Sequence, residues 1–406
     1  LNKMIIKLSW RNLWRSRRRT LITVASIVFA IVFAIFMDSL LLGLNKQMAD
    51  SLVGVYSGHF QIQQEGYWQD KSLHNSFVPN DSLDTALTGM EGIKGFSYRL
   101  ESVALAATDE GTRGTLVMGI DPDKEKNITG FDKKIIKGKY LGETNNQALV
   151  GKGLAEKMNV SVGDSLVLVG EGYHGASAAD KYEVSGIIRL GSPDLDNNIV
   201  ILKLEDAQFL YGAYDRITSI PVFLRPNQSQ EEAIAALEPN LKTGFIAKPW
   251  QEMLPMLTQS IGLIDAFRVI IIVLLYVLIS FSILGTIIMM THERMNELRI
   301  VLSIGMRKTK MQLMIVIETF FMALLGAILG FLASYPLVSY FKARPIEIKG
   351  KAAIGWESFG IDPILPTLVD FGIFTKHTLI ILVISILLSI YAIRQVSILK
   401  PVASKK

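Results

Sequence analysis

VIIIVLLYVLISFSILGTIIMM, residues 269–290, runs for 22 residues without a charge. At 1.5 Å per residue such a helix reaches about 33 Å, enough to cross a hydrocarbon core of about 30 Å. Three further runs read the same way: Thr20 to Leu44, whose core LITVASIVFAIVFAIFM meets Asp38; Met311 to Tyr340, which carries Glu318; and His377 to Ile393. The 406 residues are 50% hydrophobic and only 19% charged, and the apolar residues are clustered, as membrane spans require.

Lysine and arginine orient the runs. Residues 1–19 hold seven basic residues and no acid, Lys3, Lys7, Arg11, Arg15, Arg17, Arg18 and Arg19. The 291–310 connector holds Arg294, Arg299, Arg307, Lys308 and Lys310, and the tail after the fourth run holds Arg394, Lys400, Lys405 and Lys406. All three segments are expected on the cytoplasmic side of the membrane, with both termini inside. Residues 45–262 hold 20 basic and 28 acidic residues, a net −8 within a chain of +5, and are expected on the far side. An acidic domain argues against nucleic acid, and anionic membrane lipids explain the basic side. In 1–19, Trp10, Leu13 and Trp14 fall at helical spacing among arginines, the pattern of an interfacial amphipathic helix. No cleavable signal peptide is expected, because the apolar run after this segment is too long and lacks a small-residue cleavage site.

The far-side segment alternates in HFQIQQ, YRLESVALAAT, TLVMGI, SLVLVG, YEVSGIIRL, NNIVILKL and SIPVFL, with turn residues between. Short helices are expected at 81–90, 151–158, 204–211 and 230–238. The fold class is therefore a membrane α-helical bundle of four transmembrane helices plus a large α+β extracytoplasmic (periplasmic) domain between the first and second helix. Two subdomains are expected in 45–262, one built from both chain ends. The remaining segments are a 1–19 cytoplasmic helix, spans at 20–44, 263–290, 311–340 and 377–393, a cytoplasmic helix in 291–310, a periplasmic loop at 341–376 and a tail at 394–406.

Catalysis finds no support in these residues. There is no cysteine, and His59, His74 and His174 are isolated in sequence. Asp194 and Asp196 lack the glycine and closing glutamate of a calcium loop and read as a turn. GKGLAEK is not a P-loop, so no metal, cofactor or nucleotide site is expected in this chain. An ionisable residue within a span costs roughly 3 kcal/mol, so Glu318 is expected to pair with or snorkel toward Lys308 and Lys310, in a structural role. Asp38, near the outer end of its span, is expected to snorkel to water. Ala323, Gly326, Ala327, Gly330 and Ala333 lie at helical spacing and permit close helix packing.

Four stretches together resemble the FtsX-like permeases of ABC transporters, the four-span architecture shared by MacB and the lipoprotein-releasing permeases LolC and LolE. They are LSWRNLWRSRRRTLITVASI (8–27); ERMNELRIVLSIGMRKTKM (293–311) running into IVIETFFMALLGAILG (315–330); YAIRQVSILKPV (391–402); and, in the inserted domain, VMGIDPDKE (117–125), ALVGKGLAEKMNVSVGDSLVLV (148–169) and YEVSGIIRLGSPDLDNNIVILKLEDAQ (182–208). The last run and GHFQIQQEGYW (58–68) look closest to LolC and LolE. The sequence departs from the pattern in lacking MacB's fused ATPase domain and in having Leu298-Arg299 where many relatives have Ile-Gly.

The resemblance implies a permease subunit that extracts lipoproteins from the inner membrane, with ATP and Mg bound by two copies of a separate ABC ATPase subunit. It implies a second permease, identical or not, and a periplasmic chaperone that receives the lipoprotein cargo. The alternatives are a MacB-like mechanotransmission permease that exports peptides, toxins or antibiotics, and an FtsX-like signalling scaffold, whose outer domain would be smaller. Residues 291–310 become the coupling helix. Glu293, Arg294, Glu297 and Arg299 form its exposed charged face, Leu298, Val301, Leu302 and Ile304 its apolar face, and Gly305 its C-terminal stop. The substrate cavity is assigned to Phe36, Met37, Leu40, Leu41 and Leu44 of the first span and Leu263, Ile264, Phe267 and Ile270 of the second.

Overall fold

A computed structural model describes the chain except residues 1, 16, 143, 227, 242, 352, 354, 355, 357–362 and 399–406. Lys400, Lys405 and Lys406 of the basic tail lie outside the described residues. The chain forms two compact units: residues 1–46, 262–347 and 364–406 are helical, and residues 47–261 with 348–363 form the inserted domain.

Among the described residues, six helices build the helical unit: α1 (Asn2–Arg15), α2 (Arg17–Leu52), α3 (Pro255–Glu293), α4 (Met295–Ser303), α5 (Lys308–Ala343) and α6 (Phe371–Ile398). Four of them, α2, α3, α5 and α6, are long and apolar enough to cross a membrane. Each outruns the apolar stretch that announced it. Helix α2 continues past 44 to Leu52 and then winds as a π-turn over Val53–Ser57, while α3 starts at 255 and α6 at 371. Apolar length records bilayer thickness; once nucleated, the helix propagates through neighbouring residues of adequate propensity.

The loop expected at 341–376 is divided. Ile346–Glu347 pairs with Ile364–Leu365 in the helical unit, and residues 348–363 group with the inserted domain. The bundle core lies between α2, α5 and α6, with Ile27, Ile31, Ile35, Ala323, Ala327, Phe374 and Ile381 at its centre. Gly326 and Gly330 of α5 face Ile27 and Ile31 of α2, and a methyl group added at Gly326 would meet Ile27 at 2.6 Å. Ala323 and Ala327 are buried with them, while Ala333 is exposed.

The inserted domain is α+β. Its strands are β1 (Phe60–Gln64), β2 (Ile93–Phe96), β3 (Arg99–Thr108), β4 (Gly111–Ile120), β5 (Ile135–Gly138), β6 (Gln147–Gly151), β7 (Ser165–Glu171), β8 (Ser177–Ile188), β9 (Ile199–Lys203), β10 (Ser219–Leu224) and β11 (Phe245–Pro249). They form one sheet in the order β11-β1-β10-β3-β4-β9-β6-β8-β5, with β2 against β10 and β7 against β3 and β8. The chain enters on β1 and leaves on β11, and these two pair antiparallel with Phe60 opposite Pro249. One core belongs to these end strands and includes Phe60, Ile62, Ile220 and Val222. The strand-dense remainder packs a separate core around Leu100, Val117, Leu166, Tyr182 and Val200.

Candidate functional site: three buried ion clusters and an exposed helix face

The 291–310 segment folds as α4, bounded by Arg294 at its N-terminus and by Gly305 at φ +100° just beyond its end. The Gly305 N–H reaches the Leu302 carbonyl at 3.1 Å and the Met306 N–H reaches that of Val301 at 3.3 Å. Such closing bonds are made where the chain turns left-handed, which glycine adopts without a Cβ clash.

Two sequence assignments change here. Arg294 does not join the exposed face. It turns inward and pairs with Glu318, which is 1% exposed. Ile304 does not line the apolar face; it is 81% exposed, and Ile300 is 56% exposed, so of the assigned apolar face Leu298 is buried and Val301 and Leu302 are half-buried. The outward surface of α4 is thus Glu297, Arg299, Ile300 and Ile304, with Glu293 just ahead of it.

Glu318 is the centre of a clamp. Its carboxylate also accepts a hydrogen bond from Asn12 Nδ2 (2.8 Å), and the Ser9 hydroxyl donates to the Met314 carbonyl (3.2 Å). Arg15 reaches Glu297 at 2.7 Å on the surface. The expected partners Lys308 and Lys310 are not used; Lys308 Nζ donates to the Ser397 carbonyl (2.7 Å) instead. An arginine outcompetes them because its planar fork contacts both carboxylate oxygens. Helices α1 and α5 and the start of α4 are thereby tied at one buried carboxylate.

Asp38 also departs from expectation. It does not snorkel but is 1% exposed and serves as a second hub. Arg268 Nη1 donates to its Oδ1 at 2.8 Å, and His377 Nε2 lies 2.7 Å from its Oδ2. A carboxylate only accepts, so Nε2 carries a proton toward Asp38, and Nδ1 shares a hydrogen bond with the Tyr276 hydroxyl at 2.6 Å. Arg268 Nε and Asn45 Nδ2 both donate to Asp265 Oδ1 at 3.0 Å. The cluster links α2, α3 and α6. Sequence reasoning had singled out Asp38 alone; Arg268, Asp265 and His377 sit at the edges of apolar runs and read there as flanks.

Helix α3 presents the assigned cavity residues outward. Leu263, Phe267 and Ile270 are 57%, 63% and 60% exposed, and Ile264 is half-buried. On α2, Phe36, Met37, Leu40, Leu41 and Leu44 are all half-buried. Phe36 packs on Phe341 of α5 with ring centroids 5.3 Å apart, which makes it a helix-packing residue within the chain.

A third buried charge cluster, unforeseen from sequence, lies in the inserted domain. Arg99, wholly buried on β3, donates to both carboxylate oxygens of Glu125 (2.7 and 3.2 Å). Its remaining N–H groups reach the Tyr56 carbonyl and, at 3.3 Å, the Val55 carbonyl. Those carbonyls belong to the π-turn that ends α2, where unpaired carbonyls and the negative end of the helix dipole favour a cation. The Tyr56 hydroxyl in turn donates to Glu101 Oε2 at 3.2 Å, and burial pushes the Glu101 carboxyl above the usual carboxylate range. The fold also brings together His74 and His174, with ring centroids 5.8 Å apart, although among the described residues no group of three His, Cys, Asp or Glu is placed to hold a metal. Asp196 caps a turn by accepting from the Leu190 N–H at 2.6 Å.

Comparison with known proteins places this architecture. The MacB-like periplasmic core domain matches residues 20–240 and the FtsX-like permease C-terminal domain matches residues 269–401. The lipoprotein-releasing system transmembrane protein LolC of Neisseria meningitidis is 22% identical over 94% of this chain and 92% of its own length. LolE of Haemophilus influenzae is 22% identical over 73% of each chain, and an uncharacterised ABC transporter permease of Methanocaldococcus jannaschii is 20% identical over 87% of this chain and 89% of its own. Among solved structures, the periplasmic region of MacB from Actinobacillus actinomycetemcomitans aligns with 53% of this chain and 97% of its own, at 12% identity and a TM-score of 0.36. Members of this family work with an ABC ATPase partner and a second permease. The chain is a member of the ABC transporter permease family that joins a MacB-like periplasmic core domain to an FtsX-like permease domain, of the LolC/LolE and MacB type.

Proposed function

We propose that this permease extracts lipoproteins from the inner membrane, driven by ATP and Mg bound in a separate ATPase subunit. The observation that carries the reading is the apolar outer end of α3, where Leu263, Phe267 and Ile270 stand exposed within a few residues of the Asp38–Arg268 pair. Three acyl chains of about 15 carbons, at about 0.8 kcal/mol per buried CH₂, resist leaving a bilayer by over 30 kcal/mol, so an apolar acceptor surface is a requirement of release. Leu40, Leu41 and Leu44 of α2, with Met37, extend that surface, and flexible Met and Leu side chains suit variable acyl chains. A second permease, of this or another sequence, would complete it, and a periplasmic chaperone would receive the cargo. The long relatives named LolC and LolE support the same reading.

Force enters, on this reading, at α4. Glu293, Glu297, Arg299, Ile300 and Ile304 form the surface offered to the ATPase, with both chain termini on that cytoplasmic side. The Glu318 clamp passes its displacement to α1 and α5, and the Asp38 hub ties α3 to α2 and α6. Reconstituting the complex with its ATPase, ATP and a triacylated lipoprotein tests the proposal. Transfer of cargo to a soluble acceptor is expected, and ATP turnover without transfer would overturn it. The MacB-like core domain keeps one other reading in view, mechanotransmission that exports peptides, toxins or antibiotics. Capture of an outer-membrane channel in place of a chaperone would favour it.

A further inference from the structure

One face of the end-strand sheet is polar and buried. Gln61 and Gln63 lie on it, opposite Pro221 and Ser219 of β10, and Ser219 lies opposite Arg99 of β3. Directly opposed residues of an antiparallel pair point to the same face, as do residues two apart. Gln61, Gln63, Ser219, Arg99 and Glu101 therefore share one face, and the Ser97 N–H bonds to the Pro221 carbonyl beside them. The other face of β1 carries Phe60 and Ile62 into the apolar core. The polar face is the one on which Arg99 grips the Val55 and Tyr56 carbonyls at the end of α2.

Gln61, Gln63, Ser97, Ser219 and Glu101 are each no more than 2% exposed. Among the described residues, seven of their side-chain atoms have no hydrogen-bond partner: both polar atoms of Gln61 and of Gln63, the hydroxyls of Ser97 and Ser219, and Glu101 Oε1. A buried polar atom left unpaired is costly, and proteins avoid so many in one place unless something else bonds them. The set contains amide N–H₂ donors as well as oxygen acceptors. A cation would satisfy only the oxygens, and an anion only the donors. Water satisfies both, through two donated and two accepted bonds.

We propose that this face holds a cluster of bound water, and that the cluster is a hydrated joint between the end of α2 and the sheet of the periplasmic domain. Water bridges rearrange with little enthalpic loss, whereas interlocked side chains must pass over one another to move. The Arg99–Glu125 pair then works as the fixed pin of the joint, and the glutamine face is where the helix end shifts as α2 is displaced. This mechanical role rests on the proposed transport cycle; the water cluster does not.

Two measurements on the full permease–ATPase complex test the parts separately. A structure at a resolution that shows ordered solvent is expected to place waters within hydrogen-bond reach of Gln61, Gln63, Ser97, Ser219 and Glu101. The same side chains bonded directly to one another, or a single metal ion among their oxygens, would overturn the water cluster. In the functional arm, Gln61→Leu with Gln63→Leu is expected to keep ATP turnover while lowering cargo transferred per ATP several-fold. Unchanged transfer per ATP would overturn the joint and leave the water cluster standing. Wild-type complex that hydrolyses ATP but transfers no lipoprotein would instead count against the proposed function.

Discussion

Helices α5 and α3 are of similar length and apolarity, yet they are held in different ways. In its most apolar window, 44% of α5 is buried inside the chain against 17% of α3. Along most of its length α5 fits by shape, Gly326 and Gly330 letting Ile27 and Ile31 of α2 approach its backbone, with Glu318 as its one buried ion pair among the described residues. Helix α3 enters the bundle core through Ile283 and Ile287 and is otherwise fastened by directional bonds, Arg268 to Asp38, Tyr276 to His377 and Asp265 to Asn45. In lipid, apolar surface gives no drive for helices to associate, so packing and polar bonds decide which ones stay together. A helix held by three polar tethers can change partners by exchanging bonds, while one locked by interdigitation cannot. The contrast makes α5 part of the frame and α3 the helix left most open at its surface, the one that meets cargo or a second permease if the proposed function holds.

Breaking the frame should have the largest effect. Gly326→Leu drives a side chain into Ile27, and overpacking of this severity should destabilise the bundle by about 3 kcal/mol. Thermal melting of the purified permease reads it, and an unchanged midpoint would mean that α5 is not locked by shape. Removing a tether should cost less. Asp38→Ala leaves His377 without its carboxylate and Arg268 with Asp265 alone, a loss of about 2 kcal/mol once the modest strength of interhelical bonds in lipid is allowed for. Disulfide trapping between cysteines placed on α2 and α3 should then report a looser α3, with α5 unmoved.

Glu318→Gln should be smaller again, about 1 kcal/mol, because Arg294 and Asn12 keep a neutral acceptor. Its main readout is coupling: cargo release per ATP should fall more than ATP turnover does. Smallest in stability is Phe267→Ala, under about 0.5 kcal/mol, since an exposed side chain away from special features contributes little to folding. The same variant should reduce lipoprotein release strongly. A large stability loss with intact release would reverse the assignment of α3 and show its outer face to be ordinary packing.

Where the sequence was legible, one physical signal dominated. Apolar runs and the lysine–arginine bias marked all four membrane helices, and each of the seven alternating stretches falls on a strand, HFQIQQ on β1 through SIPVFL on β10. The strands it missed, IKGF, IIKG, QALVG and FIAKP, are four or five residues long and hold Gly, Lys or Pro, so their alternation is too short to register. Gly305 was readable as a helix stop because only one backbone conformation explains a glycine there. The pairing of charges was not readable. Asp38 finds His377 339 residues away and Glu318 finds Asn12 306 residues away, separations that carry no local pattern.

The sequence by itself determined the four spans, the inserted α+β domain and the family, because these follow from composition, periodicity and local spacing. Only the tertiary structure decided that Asp38 is a buried hub rather than a snorkelling acid, that Arg294 turns inward to Glu318, and that Arg99 holds the end of α2. A charge in a membrane protein is placed by whichever opposite charge the fold brings within about 3 Å, and electrostatic energy falls with distance in space, not along the chain.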